Sequence, residues 1–256
     1  MCETCGCNVT PGNAELARQP VVQGTTAIDV LGHLLAANDR TARHNRSHFD
    51  EHGVLAVNMM SAPGSGKTAL LEATADAFRG ELQVAVLVGD LETDNDARRI
   101  RARGIPALQI TTGGACHLDA HMVHDALHEI DLDGLDVLFI ENVGNLVCPS
   151  SFDLGQHRKV ALLSYTEGDD KPAKYPVLFR GADLVLLTKS DLAPHLEDFD
   201  PRGAERCLRE LASAAPIHSL SARKGTNLRP WLAWVRAELA SVRKNSRHDH
   251  RERVAG

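Results

Sequence analysis

The sequence predicts an α/β fold built on a mostly parallel, doubly wound sheet. From Val54 onward, short apolar runs of strand length alternate with stretches of helical periodicity, and this alternation favours parallel strands joined by crossover helices. A glycine-rich turn also joins the first strand to the following helix, as in folds that bind ligands at the carboxyl ends of their strands. The length of 256 residues, of which 43% are hydrophobic and 24% charged, suits one large α/β domain with a small appendage.

The individual elements follow from residue periodicity. A first helix is predicted over Ala27–Phe49. Seven strands are predicted at Val54–Met60, Leu82–Val88, Ala107–Ile110, Leu135–Ile140, Val160–Tyr165, Leu184–Leu187 and Ile217–Leu220. Five further helices are predicted at Lys67–Phe78, Asn95–Arg103, His117–Ile130, Gly203–Ala214 and Leu228–Leu239. We therefore expect a domain over residues 26–241, preceded by a flexible arm over residues 1–25 and followed by a frayed tail over residues 242–256.

Composition and charge argue against several classes of protein. The chain carries 28 Lys and Arg against 34 Asp and Glu, with a net charge of −6 and 4% aromatic residues, which argues against a nucleic-acid partner. No apolar run approaches the about 18–20 residues that cross a bilayer. Residues 1–12 contain an acid and lack the apolar core of a secretory signal. We therefore expect a cytoplasmic protein that binds neither nucleic acid nor membrane.

A phosphate-binding loop is the most specific motif of the domain. Residues 61–68 read SAPGSGKT, which matches the pattern G-x-x-x-x-G-K-[ST] except that Ser61 replaces the first glycine. In this pattern backbone N–H groups surround the nucleotide phosphates, the lysine contacts the β and γ oxygens, and the hydroxyl side chain holds Mg²⁺. The strand before and the helix after the motif complete the prediction of a three-layer P-loop NTPase fold. The predicted phosphate-binding residues are Gly64, Ser65, Gly66, Lys67, Thr68 and Ala69.

Two later segments favour GTP over ATP as the nucleotide. Residues 188–191, TKSD, resemble the guanine-reading motif N-K-x-D of GTPases, with Thr188 in place of Asn. The carboxylate of Asp191 can accept from the N1–H and the 2-amino group of guanine, whereas N1 of adenine is itself an acceptor. Residues 219–224, SLSARK, resemble the loop whose backbone supports the guanine oxygen. The predicted base-binding residues are Thr188, Lys189, Asp191, Ser221 and Ala222.

Acidic residues at strand ends are candidates for magnesium binding and hydrolysis. Asp90 and Glu141 each follow an apolar strand, at the edge where an α/β sheet places its ligands. We predict Thr68, Asp90 and Glu141 as Mg²⁺ ligands, and Lys67, Asp90 and Glu141 as the catalytic set. Asp94, in the same acidic segment as Asp90, is instead predicted to cap the next helix.

Three cysteines, Cys2, Cys5 and Cys7, lie within the first seven residues. Spacing this short lets three thiolates converge on one ion without any fold, and the terminal amine can supply a fourth donor. Such a donor set suits square-planar Ni²⁺ or tetrahedral Zn²⁺. We therefore predict a metal site in the N-terminal arm.

A second set of thiols lies inside the domain. Cys116 and His117 follow a Gly-Gly-Ala segment at the predicted start of a helix, and Cys148 lies in the loop beyond Glu141. A helix N-terminus favours the thiolate form. With an adjacent histidine and two cysteines expected at the same edge of the sheet, we predict a metal site at Cys116, His117 and Cys148. His121, one turn after His117, is expected on the same helix face.

Taken together, these motifs resemble the HypB family, the SIMIBI-class P-loop GTPases that insert nickel during hydrogenase maturation. The resemblance rests on residues 2–7 (CETCGC), 61–68, Gly89-Asp90 and 141–149 (ENVGNLVCP), and on the helix with Asn38, Asn45 and Phe49. It implies a high-affinity nickel site at Cys2, Cys5 and Cys7 and a weaker nickel or zinc site at Cys116, His117 and Cys148. It also implies GTP hydrolysis to GDP, a homodimer, and two partners: a HypA-type metallochaperone and the [NiFe]-hydrogenase large-subunit precursor.

The position of Cys148, seven residues after Glu141, suggests that nucleotide state and metal affinity are coupled through this loop. Three alternatives stay open at the level of sequence. One is a related GTPase that serves urease or a cobalamin enzyme, against which the N-terminal cysteines argue. The second is an ATP-dependent kinase with structural zinc, for which no separate lid segment is recognisable. The third is a metal-storage module whose nucleotide site is vestigial.

Overall fold

The computed structural model describes the backbone of residues 27–211 and 213–255 and the side chains of residues 32–211 and 213–246. Cys2, Cys5, Cys7 and the rest of the predicted arm over residues 1–25 lie outside the described residues. Seven strands alternate with helices along the chain, as the sequence predicts. The helices are α1 (Ala27–His52), α2 (Lys67–Phe78), α3 (Asn95–Arg101), α4 (Ala120–Leu127), α5 (Lys171–Lys174), α6 (Pro176–Arg180), α7 (Pro201–Glu210) and α8 (Leu228–Ala255). The strands are β1 (Leu55–Ser61), β2 (Val84–Asp90), β3 (Ala107–Thr111), β4 (Val137–Glu141), β5 (Arg158–Ser164), β6 (Leu184–Thr188) and β7 (Ile217–Ser219).

The seven strands form one sheet in the order β3-β2-β4-β1-β5-β6-β7, and every neighbouring pair is parallel. The order reverses around β1, so crossover helices cover both faces, which confirms the predicted three-layer doubly wound fold. Because side chains alternate along a strand, Leu55, Val57 and Met59 of β1 pack into a core with α2 and α8. Ala56 packs on the opposite face with Phe49.

The N-terminal helix is held to the domain by buried asparagines as well as by apolar contacts. Asn38 accepts from the backbone N–H of Ala120 at 2.9 Å and donates to the carbonyl oxygen of Asp153 at 2.8 Å. Phe49 is fully buried at the C-terminal end of the helix. These contacts pack α1 along α4 and fix the position of the segment that leads into β1.

The last helix is longer than the sequence predicts. Instead of ending at Leu239, α8 continues to Ala255, and residue 242, the first of the predicted frayed tail, is buried. Val242 extends the buried stripe of Trp231, Val235 and Leu239, and Arg243 pairs with Asp136 and donates to the carbonyl oxygen of Gly53. Within the described part of the chain, no helix combines the length and apolar character needed to cross a membrane.

Candidate functional site

The phosphate loop connects β1 to α2 with the backbone geometry that its glycines allow. Gly64 has a φ of 73° and Gly66 a φ of 94°, values that favour residues without a side chain. Ser61, the departure from the motif, is buried, and its Oγ accepts a hydrogen bond from Lys67 Nζ at 2.9 Å. Burial lowers the pKa of Lys67, and the Ser61 hydroxyl orients its ammonium group toward the loop.

A cavity of about 450 Å³ opens in front of this loop. It brings together residues from the carboxyl ends of β1, β2 and β4, the edge predicted from the sequence. The predicted residues in its wall are Gly64, Gly66, Lys67, Thr68, Ala69, Asp90 and Glu141. Since the predicted residues combine backbone N–H groups, the ammonium group of Lys67 and the carboxylates of Asp90 and Glu141, the cavity can accept a phosphate chain with a divalent cation.

The hydroxyl of Thr68 and the carboxylate of Glu141 form a pair at the base of this cavity. Thr68 Oγ1 donates to Glu141 Oε1 at 2.8 Å. Glu141 Oε2 is buried and has no hydrogen-bond partner among the described residues. Burial raises the pKa of Glu141 to about 7. A divalent cation next to Oε2 would balance the negative charge of this buried carboxylate. The hydroxyl of Thr68 and the carboxylate of Glu141 therefore fit Mg²⁺.

The acidic segment after β2 differs in detail from the sequence prediction. Asp90 Oδ1 accepts from the backbone N–H groups of Glu92 and Thr93 at 3.1 and 3.2 Å, which holds its carboxylate at the strand end. Asp94 precedes α3 but makes no capping hydrogen bond. Its carboxylate instead pairs with Arg98 at 2.5 Å, so the predicted capping role is wrong.

Two further charged residues of the cavity wall, Asp96 and Arg99, escaped sequence reasoning. Arg99 pairs with Glu72 at 3.1 Å and with Asp96 at 3.2 Å. Both residues lie on the exposed side of a short helix with three arginines, where the sequence pattern alone indicates only a solvated face.

A second cavity, of about 180 Å³, lies on the other side of the phosphate loop. It shares Gly66 and Ala69 with the first cavity, so one elongated ligand can occupy both. The remaining predicted residues in its wall are Ser65, Thr188, Lys189, Asp191, Ser221 and Ala222. All the residues predicted to bind the base therefore lie together.

Thr188, which replaces the expected asparagine, has an identifiable structural role. Its hydroxyl is buried and donates to the carbonyl oxygen of Ser65 at 2.6 Å. This hydrogen bond ties the end of β6 to the phosphate loop. Asp191 follows in a short 3₁₀ helix over Ser190–His195, is half-buried and lines the cavity.

The two cysteines and the histidine inside the domain also come together. One ligand atom from each of Cys116, His117 and Cys148 lies within 4.8 Å of the others. His117 is fully buried and stacks on Phe152 with the ring centroids 4.1 Å apart. Burial lowers the pKa of His117 to about 4, so its imidazole is neutral at pH 7, the form that binds metals. The set can hold one thiophilic divalent ion.

The local structure around these residues corrects two predictions. The helix expected to begin at His117 begins at Ala120, after Asp119, whose side chain accepts from the N–H of Met122 at 2.8 Å. Cys116 and His117 therefore lie in the preceding loop rather than on a helix. His121 does not share a helix face with His117, and it contacts Thr41 of α1 instead.

The loop that follows β4 contacts both candidate sites. Asn142 is buried, and its Oδ1 accepts from the N–H of Leu118, next to His117, at 3.2 Å. At Gly144 the same loop passes so close to the phosphate loop that an added Cβ would lie 2.9 Å from Pro63 Cα. One loop of eight residues therefore starts at Glu141, packs on the phosphate loop and ends at Cys148.

Comparison with known proteins assigns this architecture to a family. The family model described as "CobW/HypB/UreG, nucleotide-binding domain" matches residues 55–219. The hydrogenase maturation factor HypB of Azotobacter vinelandii is 46% identical over 240 residues, which cover 90% of this chain and 78% of that protein. The chain belongs to the HypB family of hydrogenase maturation factors. HypB of Escherichia coli K12 is 49% identical over 211 residues, covering 82% and 71%.

A solved structure supports the same family assignment. The crystal structure of HypB from Helicobacter pylori in complex with nickel has a TM-score of 0.76 and 40% identity, covering 82% of this chain and 97% of that one. The span matched by the family model contains both cavities except for the loop of Ser221 and Ala222. It also contains Cys116, His117 and Cys148.

Proposed function

We propose that this protein is a GTP-hydrolysing metallochaperone that binds nickel and delivers it to the [NiFe]-hydrogenase large-subunit precursor. The observation that carries the proposal is the segment from Glu141 to Cys148. It begins in the wall of the cavity in front of the phosphate loop (the nucleotide cavity) and ends in the group formed by Cys116, His117 and Cys148 (the thiol–imidazole set). Family membership and the solved nickel complex of a HypB relative support nickel as the cargo.

The first cavity is suited to hydrolysis of the terminal phosphoanhydride. Backbone N–H groups at the start of α2 and the Lys67 ammonium group neutralise the β- and γ-phosphates. Magnesium, held by Thr68 and Glu141, would offset the charge that develops on the phosphate oxygens. In this proposal Asp90, whose carboxylate accepts from two backbone N–H groups at the strand end, orients the attacking water. A bond forms between the water oxygen and the γ-phosphorus as the β–γ bridging bond breaks, which yields GDP and phosphate.

The second cavity is suited to guanine. Asp191 supplies acceptor oxygens only, and guanine offers two adjacent donors, whereas adenine offers an acceptor at N1. Because a hydrogen bond to a charged group contributes about 1.5–3 kcal/mol, Asp191→Asn should weaken GTP binding about 10–100-fold. Comparing GTP and ATP turnover in the same preparation also tests the alternative of an ATP-dependent kinase.

The thiol–imidazole set is suited to a borderline divalent ion, with nickel as cargo and zinc as a competing occupant. Two sulfur donors and a neutral imidazole favour such ions over Mg²⁺ or Ca²⁺. His117 is fully buried, and its Nε2 has no hydrogen-bond partner among the described residues, so water is excluded from that side of the imidazole ring. The N-terminal Cys2, Cys5 and Cys7, which lie outside the described residues, would form the tighter nickel site.

The connection between the two sites runs through Glu141, Asn142 and Cys148. A ligand that changes the position of Glu141 also acts on Asn142, and Asn142 is hydrogen-bonded to the backbone next to His117. The same displacement moves Cys148 relative to Cys116. Nucleotide state should therefore change metal affinity, and metal binding should change nucleotide affinity by the same factor.

The deciding experiment measures nickel and zinc affinity of the full chain with GDP and with a non-hydrolysable GTP analogue. Cys2, Cys5 and Cys7 are replaced by Ser, and nickel bound at Cys116, His117 and Cys148 (the inner site) is followed by its thiolate charge-transfer absorption, with zinc measured by its displacement of nickel. We expect the two affinities to differ about 5–150-fold, the usual range of coupling between sites. Cys148→Ser should abolish binding at the inner site, and Cys207→Ser, which alters a half-buried thiol on α7, should leave that binding intact. Equal affinities in both nucleotide states would refute the coupling.

The remaining parts of the proposal concern the N-terminal site and the partners. Restoring Cys2, Cys5 and Cys7 should add one tighter nickel ion, observed by thiolate charge-transfer absorption. A HypA-type metallochaperone and a second copy of this chain are the other proposed partners. Sedimentation in the presence of each nucleotide, with and without nickel, tests the homodimer. Lys67→Ala should stop delivery of nickel; unchanged delivery would favour the alternative of a metal-storage module.

A further inference from the structure

A cluster of histidines lies where α1 packs along α4, on residues that the nucleotide and thiol sites do not use. His44 and His48 are four residues apart on α1, His124 lies on α4, and His128 directly follows α4, four residues after His124. Residues with this spacing lie on one face of a helix. The histidines of α1 face His124 of α4: the ring centroids of His44 and His124 are 5.0 Å apart.

The distances within the cluster suit binding of one ion. One ring nitrogen from each of His44, His48 and His124 lies within 4.8 Å of the other two. The Nε2 atoms of His44 and His48 are 3.1 Å apart. Two nitrogen ligands at the usual metal–nitrogen distance are separated by about 2.9 Å at a right angle and about 3.3 Å at a tetrahedral angle. The observed separation lies between these values.

The orientation of the third imidazole is set by a buried asparagine. Asn45 is fully buried, and its Nδ2 donates to the carbonyl oxygens of Ala120 at 2.9 Å and Leu154 at 3.2 Å. These two contacts leave Asn45 Oδ1 as an acceptor, 3.1 Å from His124 Nδ1. Nδ1 of His124 therefore carries the proton, and Nε2 keeps its lone pair. A hydrogen bond from the second ring nitrogen is the usual device that orients a histidine ligand.

We propose that His44, His48 and His124 form an additional site that binds a divalent transition-metal ion through imidazole nitrogens alone. His124 and His48 are half-buried and His44 is exposed, so an ion can enter from solvent. His128, whose ring centroid lies 4.9 Å from that of His124, or water completes the coordination. Imidazole donors without thiolate favour Ni²⁺, Zn²⁺ and Cu²⁺ over Mg²⁺ and Ca²⁺. The site differs from the inner site in having no sulfur.

The test follows zinc binding to the full-length protein by side-chain nitrogen NMR of ¹⁵N-labelled histidines. Zinc is added until the thiol sites are saturated and then in excess. We expect the ¹⁵N resonance of His124 Nε2 to shift as that of a zinc ligand does. Nδ1 should keep its proton, which it donates to Asn45 Oδ1. Nε2 of His44 and His48 should shift in the same step. No change at these nitrogens in excess zinc would overturn the proposal and leave the cluster as imidazoles that hydrogen-bond to one another.

Variants separate binding at the cluster from effects on folding. His44→Gln combined with His48→Gln should remove the His124 response and weaken zinc binding at this site by at least about tenfold. His121→Gln is the matched control and should bind zinc as the wild type does. His121 lies on α4 like His124, but it is hydrogen-bonded to Thr41. In a second variant, His124→Gln, the His44 and His48 signals should lose their zinc shift. Retention of the shift in either ligand variant would also contradict the proposal.

The histidine site is independent of the proposed nickel delivery. The cluster shares no residue with the nucleotide cavity or with Cys116, His117 and Cys148. Replacement of His44 and His48 should leave GTP turnover and thiolate charge-transfer absorption with nickel unchanged. Failure of the histidine site would therefore leave the proposed function intact, and failure of nucleotide-dependent nickel binding would leave the histidine site intact.

Discussion

The carboxyl group of Glu141 provides a direct test of the electrostatics of the phosphate cavity. Glu141→Gln keeps the shape of the side chain and an oxygen that accepts from Thr68 Oγ1, but removes the titration. In the wild-type protein, burial raises the pKa of this group from 4.5 to about 7. At about 1.4 kcal/mol per pH unit, the difference corresponds to about 3 kcal/mol of folding free energy.

The raised pKa of Glu141 makes the folded state less stable at neutral pH than in acid. Below pH 4.5 the group is protonated in both the folded and the unfolded chain, so it costs the folded state nothing. As the pH rises from 4.5 to about 7, the unfolded chain has released this proton while the folded chain still holds it, so the folded state loses stability, and the loss is complete above about pH 7. The nucleotide-free wild type should therefore lose about 3 kcal/mol between pH 4.5 and pH 8 through this group, and Glu141→Gln should lack that loss.

Urea unfolding at several pH values measures this difference, with the fluorescence of the buried Trp231 as the probe. Other groups titrate in the same range, so the informative quantity is the difference between the variant and the wild type at each pH. Glu92→Gln, which removes an exposed carboxylate from the neighbouring loop, is the matched control and should follow the wild type. Parallel pH profiles for Glu141→Gln and the wild type would refute the argument that this carboxylate is held in an unfavourable environment without a cation.

Three further predictions concern other parts of the fold. Gly144→Ala places a Cβ 2.9 Å from Pro63 Cα, so the loop after β4 must move away from the phosphate loop. Equilibrium binding should show at least about tenfold weaker affinity for GTP, and unchanged affinity would contradict the close contact. Trp231→Phe removes the hydrogen bond from Nε1 to Thr74 Oγ1 at 2.8 Å and part of a buried ring; we expect a loss of about 1–3 kcal/mol in urea unfolding, and no loss would argue against the contact. Burial lowers the pKa of His157 to about 4, so wild-type stability should fall as the pH drops from 6.5 toward 4, and His157→Gln should reduce that fall by up to about 3 kcal/mol in acid titrations of unfolding.

Much of the fold is predictable from local sequence because its central strands are buried on both faces. All seven strands overlap the predicted ones, and α2 begins and ends where the sequence predicts, at Lys67 and Phe78. The short helices α5 and α6 were missed, because four- or five-residue helices that contain proline give no periodic signal. The end of α8 was also missed, since Val242 and Arg243 are held by contacts with residues distant in sequence.

The same distinction applies to the candidate sites. The glycines, lysine and threonine of the phosphate loop are adjacent in sequence and their spacing predicts phosphate binding by itself. By contrast, nothing local indicates that Thr188 donates to Ser65, or that Asn142 contacts the loop of His117. These contacts depend on which strands are neighbours in the sheet.

The sequence by itself therefore determines the chemistry that this protein can perform, because a P-loop and clustered thiols function through residue types at short spacing. Only the tertiary structure decides which of these groups act together. His44 and His48 are 80 and 76 residues from His124, and each pair alone resembles an ordinary solvated helix face. Packing of α1 along α4 brings them within bonding distance of one ion. The asparagines of α1 support this packing, because they satisfy the backbone groups of Ala120, the first residue of α4, which would otherwise be buried without partners.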